Sequence, residues 1–454
     1  MTPAKLLQKY NTSVPRYTSY PTVPFWEGNI AAGDWKRDFQ RNFHQKNALE
    51  GISLYLHLPF CESLCTYCGC NKTISNNHKV EEEYLAILLK EWNLYQQLMG
   101  ETPVIRELHL GGGTPTFFSP QTLKKLLEGI FKTAVIHPKH EFGVEGHPNN
   151  TTSQHLEMLY QFGFRRVSYG VQDNDPRVQR AINRIQPIEN VQCVTEQARE
   201  IGFTSVNFDL IYGLPFQTLK GEENTIRETI RIRPDRIAFY NYAHVPWKHK
   251  VQRLFDENDL PSPEMKMQLY LLAREMFGIA GYVDIGMDHF ALKGDNLYKA
   301  WQESSLHRNF MGYSTSHISF LLGLGVSAIS DTGTAYGQNH KELTSYYRQI
   351  DKGELAVNKG YFLDETDRAF KQYILQVTCK GIVIFRPEHQ RLLEQFTIPR
   401  LQDMAKDGLI LLYKSGFQIS RQGLQFMRNI CQAFDLKWLL SENKSSERVF
   451  SKCV

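Results

Sequence analysis

The chain has 454 residues, of which 42% are hydrophobic and 22% charged, with 52 Lys and Arg against 48 Asp and Glu. That length suggests two or three domains, and the composition excludes wholesale disorder and collagen-like or coiled-coil fibres. A net charge of +4 gives no reason to expect a nucleic-acid partner, while leaving room for a local basic pocket facing an acidic small molecule.

In chain order, residues 1–50 carry no strand–helix alternation and include RYTSYPT (16–22), with prolines at 15 and 21. This part reads as an extended arm. A strand over 52–58 (ISLYLHL) runs straight into the cysteine-rich loop FCESLCTYCGC. A helix over 80–98 follows, with Tyr84, Leu88, Trp92 and Tyr95 at helical spacing and three glutamates in its first turn, where the helix dipole favours them. Strands are then expected over 106–110, 141–145, 166–171, 205–210 and 236–240. Helices lie between them, from Pro120, over 153–162, 188–201 and 219–231. Repeated strand–helix units imply an α/β fold with a parallel sheet, and six in series a barrel, closed or partial. Residues 286–362 add further apolar segments. From about 363 the chain turns mainly helical. There, 408–420 reads as a hairpin turning at Lys414-Ser415-Gly416, followed by a helix over 421–434, a winged-helix-like pattern without the basic face that DNA binding needs. The expected division is an arm (1–50), a catalytic domain (51–362) and a small, mainly helical C-terminal domain (363–454).

Eight cysteines are present, and Cys61, Cys65, Cys68 and Cys70 fall within ten residues, while Cys193, Cys379, Cys431 and Cys453 are scattered. A crowded cluster in a large chain reads as a metal site rather than a disulfide framework. Three close thiolates, Cys-x3-Cys-x2-Cys, suit three corners of a cubane iron–sulfur cluster, whose full ligation takes four. One iron then stays open. Zinc is the competing reading, but structural zinc sites build from two separated ligand pairs, and no second pair is evident. Cys70, two residues past Cys68, crowds the same corner and reads as a neighbour of the cluster, not a ligand. The remaining candidates follow the ends of successive strands, where such folds bind ligands. Gly111-Gly112-Gly113-Thr114 follows the second strand. Glu145, Gln172 and Asp209 end the third, fourth and fifth, and Asn241-Tyr242-Ala243 follows the sixth.

These residues resemble the radical S-adenosylmethionine (SAM) superfamily and, within it, the oxygen-independent coproporphyrinogen III oxidases. The resemblance covers nearly the whole chain. It rests on RYTSYPT (16–22), HLPFCESLCTYCGCNK (57–72), LHLGGGTPT (108–116), GVQD (170–173), NFDLIYGLP (207–215), FYNYAHVP (239–246), GMDHFA (286–291), LHRNF (306–310) and LGLGVSAIS (322–330). It implies a partial (β/α)6 TIM-like barrel of the radical SAM type, extended by further strands. It also implies a [4Fe-4S] cluster on Cys61, Cys65 and Cys68, with SAM chelating the open iron. One-electron reduction would then give methionine and a 5′-deoxyadenosyl radical, which takes a hydrogen from the β-carbon of a propionate. Loss of CO2 and an electron leaves a vinyl group. Two propionates of coproporphyrinogen III react, giving protoporphyrinogen IX.

The resemblance also assigns residues. Tyr55, Gly112, Glu145 and Ile329 match the cluster-bound SAM. Tyr67, Gly113, Thr114, Gln172, Arg184, Asp209 and Ala243 match a second SAM beside it. Met311 stands where some members have glutamine, and a thioether cannot donate a hydrogen bond. The substrate carries four carboxylates, so Arg16, His307 and Arg308 are candidate partners, with solvated loop charges the alternative. His57 reads either as a proton donor or as a hydrogen-bonded core histidine. The Cys-Gly-Cys ending with Cys70 and the RYTSYPT arm disfavour the related haem chaperones, and the arm with LHRNF disfavours a haem-degrading methyltransferase. No apolar run reaches the ~18 residues of a membrane helix, and the N-terminus lacks a secretion signal. A cytoplasmic monomer is expected, served by an electron donor and an electron acceptor that the sequence does not identify.

Overall fold

The computed structural model describes residues 3–247, 250–441 and 450, so Cys453 lies outside the described residues. Six strands form the centre: β1 (Ile52–Leu58), β2 (Val104–Gly112), β3 (Val135–Gly146), β4 (Phe164–Gln172), β5 (Ser205–Tyr212) and β6 (Arg236–Asn241). They pair in chain order and all in parallel, as helical crossovers require. Past β6 the sheet continues antiparallel through β7 (Tyr282–Gly286) and β8 (His289–Leu292), with β8 next to β6. Past β1 it continues through β9 (Leu321–Leu324), parallel to β1, and then antiparallel through β10 (Ile329–Asp331), β11 (Ala335–Asn339), β12 (Val357–Phe362) and the short strand Glu27–Gly28. The sheet has two distinct ends, so the barrel is partial.

Strict alternation along these strands separates core from site, because successive side chains point to opposite faces. Leu54, Leu56, Leu108, Leu110, Phe142, Val144, Val167, Tyr169, Val206, Phe208, Ile237 and Phe239 are buried in one apolar cluster with the flanking helices. The residues between them, including Tyr55, His109, Glu145, Ser168, Asp209 and Tyr240, line cavities on the inner face.

The first 50 residues are not the extended arm that the sequence suggests. They contain helix α1 (Pro3–Tyr10) and a long helix α2 (Ala32–Glu50). Trp35, Phe39 and Phe43 of α2 lie at four-residue spacing and are fully buried in the main core, so α2 forms by burying an apolar stripe. The arm proper is the stretch between the helices. Together with α1 it packs with the C-terminal part in a second apolar cluster that includes Leu6, Tyr10, Tyr17, Tyr20, Tyr373 and Phe434. The C-terminal part combines helix Glu365–Lys380 with a three-stranded sheet of Ile382–Ile384, Gly416–Ile419 and Ile410–Tyr413. The expected hairpin is there. The helix after it is shorter than expected, a 3-10 turn at Gly423–Phe426 leading into Met427–Gln432.

Helix α3 (Val80–Met99) carries a fully buried carboxyl, Glu91. It accepts hydrogen bonds from Gly325 N–H at 2.7 Å, Tyr346 OH at 2.7 Å and Asn339 Nδ2 at 2.6 Å, fixing the loop after β9. Burial outweighs these donors and pushes its pKa up to about 7 from the ordinary 4.5. A raised native pKa means that the native state holds the proton more tightly than the unfolded chain. Its stabilising contribution is full below pH 4.5 and is lost as pH rises through 7. Glu91→Gln removes this slope. The wild-type protein should lose about 3 kcal/mol more than the variant between pH 4.5 and 8 in denaturant melts, and parallel pH curves would refute the assignment.

Candidate active site

The strand ends deliver the candidate residues to one rim. β1 ends in the cysteine loop, which is tied down by its backbone: Gly113 N–H donates to Leu58 O at 2.9 Å, Thr114 N–H to Phe60 O at 3.0 Å and Ser75 N–H to Cys61 O at 3.0 Å. Thr66 N–H reaches Ile182 O at 3.0 Å, and Asn183 Nδ2 reaches Leu64 O at 2.9 Å, fixing the loop against the turn that carries Arg184. A Cβ on Gly113 would lie 2.5 Å from Pro59 O, so only glycine permits this crossing.

Cys61, Cys65 and Cys68 line one cavity of about 530 Å3. Thr114 Oγ1 donates to Cys61 Sγ at 3.3 Å and Arg184 Nη1 to Cys65 Sγ at 3.8 Å. Cys70 lies at the junction with a neighbouring cavity. The neighbouring Cys68 and Cys70 thiols shift one another in opposite directions, Cys68 down and Cys70 up. Among the described residues no three His, Cys, Asp or Glu side chains converge on a single ion. Three sulfurs lining a roomy cavity, two of them receiving hydrogen bonds, suit the corners of an iron–sulfur cluster.

The carboxylates face this cavity in two different states. Glu145 is desolvated, but His109 Nε2 at 3.1 Å and Gly112 N–H at 3.2 Å outweigh that and hold its carboxyl below the usual range. Asp209 is pushed up to about 6, first by burial and then by Glu145, although Asn207 Nδ2 (2.8 Å) and Ser168 Oγ (3.2 Å) donate to it. Gln172, in the left-handed region at φ 66°, has a buried Oε1 without a partner. Arg184 is anchored by Nη2 on Gly170 O at 2.6 Å. A lone buried acceptor, an ionised carboxylate and a glycine-lined backbone suit a ligand with amino and hydroxyl groups.

Tyr67, Gly113, Thr114, Gln172, Arg184 and Asp209 thus line the cysteine cavity. Tyr55, His57 and Ile329 line the neighbouring cavity of about 550 Å3, together with Phe310 and Met311. Gly112 and Glu145 line both. Ala243 lies beyond β6, its carbonyl accepting from Gln252 Nε2 at 3.2 Å; the same amide reaches Tyr67 O at 3.3 Å. His57 is buried and held below its ordinary pKa by desolvation. Its Nε2 pairs with Asn71 O at 2.9 Å and its Nδ1 with Tyr55 OH at 3.1 Å, so the carbonyl fixes the proton on Nε2. Both ring nitrogens are engaged, which makes His57 a neutral, positioned group.

The substrate candidates lie further along. His307 and Arg308 sit in a two-stranded hairpin, His307–Asn309 with Gly312–Ser314, anchored by Ser314 on Glu107 and Thr315 on Glu141. His307 packs on His317 and burial pulls its pKa down to about 3, so it is neutral. Arg308 sits 4.9 Å over Tyr313 with Nε and Nη1 buried and unpartnered, which marks it as a cation awaiting an acceptor. Arg16 reaches Asn241 O at 2.8 Å and stacks 5.2 Å from Tyr240, a wall of the cysteine cavity. Sequence reasoning missed His109 and Gln252. His109 stands in LHLGGGTPT; its strand pairs it with Gly143, and its ring reaches Glu145 two residues further along.

A three-cysteine loop at the rim of an open parallel barrel defines a protein of the radical SAM class. A profile of the Radical SAM superfamily matches residues 55–229. The oxygen-independent coproporphyrinogen III oxidase of Pseudomonas aeruginosa is 38% identical, covering 97% of each chain, and that of Escherichia coli is 36% identical, covering 95% of this chain and 94% of its own. The solved structure of coproporphyrinogen III oxidase from Escherichia coli, described as a radical SAM enzyme, superimposes with a TM-score of 0.88 at 35% identity over 96% of this chain and 98% of that one. The chain belongs to the family of oxygen-independent coproporphyrinogen III oxidases.

Proposed function

We infer that this protein carries out the SAM-dependent oxidative decarboxylation of two propionate side chains of coproporphyrinogen III to vinyl groups, giving protoporphyrinogen IX for haem biosynthesis. The observation that carries this reading is the convergence of Cys61, Cys65 and Cys68 with Glu145, Gln172, Arg184 and Asp209 around one cavity, in a chain of this family. When bound, a [4Fe-4S] cluster and SAM supply the one-electron chemistry that produces the hydrogen-abstracting radical.

The chain's own residues bind, orient and shield. Cys61, Cys65 and Cys68 are the ligands, and Thr114 and Arg184 donate to their sulfurs. Glycines 111–113 bring backbone close to the ligand, and Glu145, kept ionised by His109, accepts from an amino group. Gln172 and Asp209 accept from ribose hydroxyls. The two cavities meeting at Gly112 and Glu145 support two SAM molecules side by side. Tyr55 and Ile329 serve one, and Tyr67, Gly113, Thr114 and Arg184 the other, with Ala243 acting through the Gln252 amide that also ties Tyr67. Cys70 stays outside the ligand set, and His57 positions the floor between Tyr55 and Asn71. Arg16 and Arg308 meet substrate carboxylates, with the neutral His307 supporting the hairpin. No helix of the described residues is long and apolar enough to cross a membrane. We place the protein in the cytoplasm as a monomer, supplied by a separate electron donor and acceptor.

Anaerobic incubation with coproporphyrinogen III, SAM and a reductant tests the reading. Two vinyl groups per substrate molecule are expected. Tight haem binding with no vinyl product would identify a haem chaperone instead.

A further inference from the structure

Arg16 reaches the rim because the far end of the chain holds the arm. Asn429 Nδ2 donates to Tyr10 O at 2.9 Å and to Thr12 Oγ1 at 3.2 Å. Arg428 Nε donates to Pro15 O at 3.2 Å, and its Nη2 to Val14 O. Past Arg16, Tyr17 OH donates to Asp435 Oδ2 at 3.0 Å, and Leu436 N–H donates to Tyr20 OH at 3.1 Å. Val14, Tyr17 and Tyr20 are buried beside Phe426, Met427 and Phe434. Arg16 lies between these two sets of ties and turns the other way, over Tyr240 and onto Asn241 O. The peptides at 14 and 15 are the ones that set its direction. One planar guanidinium holding two consecutive carbonyls fixes them more firmly than any single donor does.

We propose that Arg428 is a positioning residue for substrate binding: through it the C-terminal domain clamps the arm and presents Arg16 to a carboxylate of the bound porphyrinogen. The proposal rests on the oxidase reading above. It assigns the C-terminal domain a part in the reaction through the arm.

The test uses the full-length, cluster-reconstituted enzyme as wild type, Arg428→Ala, Arg428→Lys, Arg16→Ala and the Arg16→Ala/Arg428→Ala double variant. KM and kcat for coproporphyrinogen III are measured, together with 5′-deoxyadenosine formed without porphyrinogen. Arg428→Ala should raise KM about tenfold or more, the weight of one charge-assisted hydrogen bond, and change kcat less. Arg428→Lys, which keeps the charge and one donor direction, should fall between. Porphyrinogen-free 5′-deoxyadenosine formation should match wild type. Because Arg428 acts through Arg16, the double variant should be no worse than Arg16→Ala alone. Wild-type KM in Arg428→Ala, full additivity with Arg16→Ala, or a parallel loss of 5′-deoxyadenosine formation would each overturn the proposal. Should Arg428→Ala not fold, Tyr17→Phe removes only the hydroxyl tie to Asp435 and should raise KM in the same direction; an unchanged KM there refutes the clamp. A wild-type enzyme that makes no vinyl product would instead refute the oxidase reading.

Discussion

Changing Cys61, Cys65 or Cys68 to Ala should abolish cluster binding and all porphyrinogen conversion. The three sulfurs surround one cavity, and a cubane held at three corners has no spare protein ligand. Anaerobic wild-type protein should be brown, with about four irons and a broad thiolate-to-iron band. Each single variant should lose the colour while keeping its far-ultraviolet circular dichroism, because these side chains belong to none of the apolar clusters. Cys70→Ala should keep its iron, since that exposed thiol stands apart at the junction of the two cavities. Full iron in the triple Cys61/Cys65/Cys68 variant would remove the basis of the site. Loss of iron in Cys70→Ala would make that residue a ligand.

Gly112→Ala should lower conversion by about a hundredfold or more, the scale of a misplacement of roughly 1 Å in a reacting assembly. Gly112 has φ +121°, a conformation that side-chain-bearing residues rarely adopt, and a Cβ there would lie 2.8 Å from the His57 ring. That ring cannot simply move aside, because Asn71 O and Tyr55 OH hold it from both ends. The Gly112 N–H also donates to Glu145, so the substitution disturbs the wall shared by both cavities. Iron content should be retained, separating this effect from cluster loss. Turnover within twofold of wild type would show that the close approach at Gly112 is not needed.

Much of this was legible in the sequence because the signals are local. The barrel strands carry period-two alternation, and the cysteine loop and triple glycine follow strands that the pattern locates. What escaped depends on partners distant in sequence. His109 becomes informative only when parallel pairing sets β2 beside β3 and brings it to Glu145. Gln252 carries no motif, and its importance lies in two carbonyls, of Tyr67 and Ala243, that its amide joins. Helix α2 has a local signal in Trp35, Phe39 and Phe43 at four-residue spacing, but the RYTSYPT segment before it, bounded by Pro15 and Pro21, carries none. The ties from Arg428 and Asp435 to the arm bridge more than 400 positions, beyond any local pattern. The polar floor of the barrel, where Glu107 meets Ser53, Ser314 and Ser316, likewise exists only once the hairpin is folded against the sheet.

This also bears on how the arm can be tested. Removing residues 1–35 would cut into α2 and take Trp35 from the main core, so a loss of activity there would report unfolding as readily as a missing arm. Point changes at Arg16 and Arg428 avoid that.

In the proposed reaction this chain positions a propionate β-carbon of coproporphyrinogen III for hydrogen abstraction. The most direct measurement incubates the reconstituted enzyme anaerobically with SAM, a reductant and coproporphyrinogen III deuterated at the propionate β-carbons, and then weighs the 5′-deoxyadenosine by mass spectrometry. 5′-Deoxyadenosine carrying substrate deuterium is expected, formed together with vinyl product. Unlabelled 5′-deoxyadenosine alongside unconverted porphyrinogen would contradict the proposed reaction.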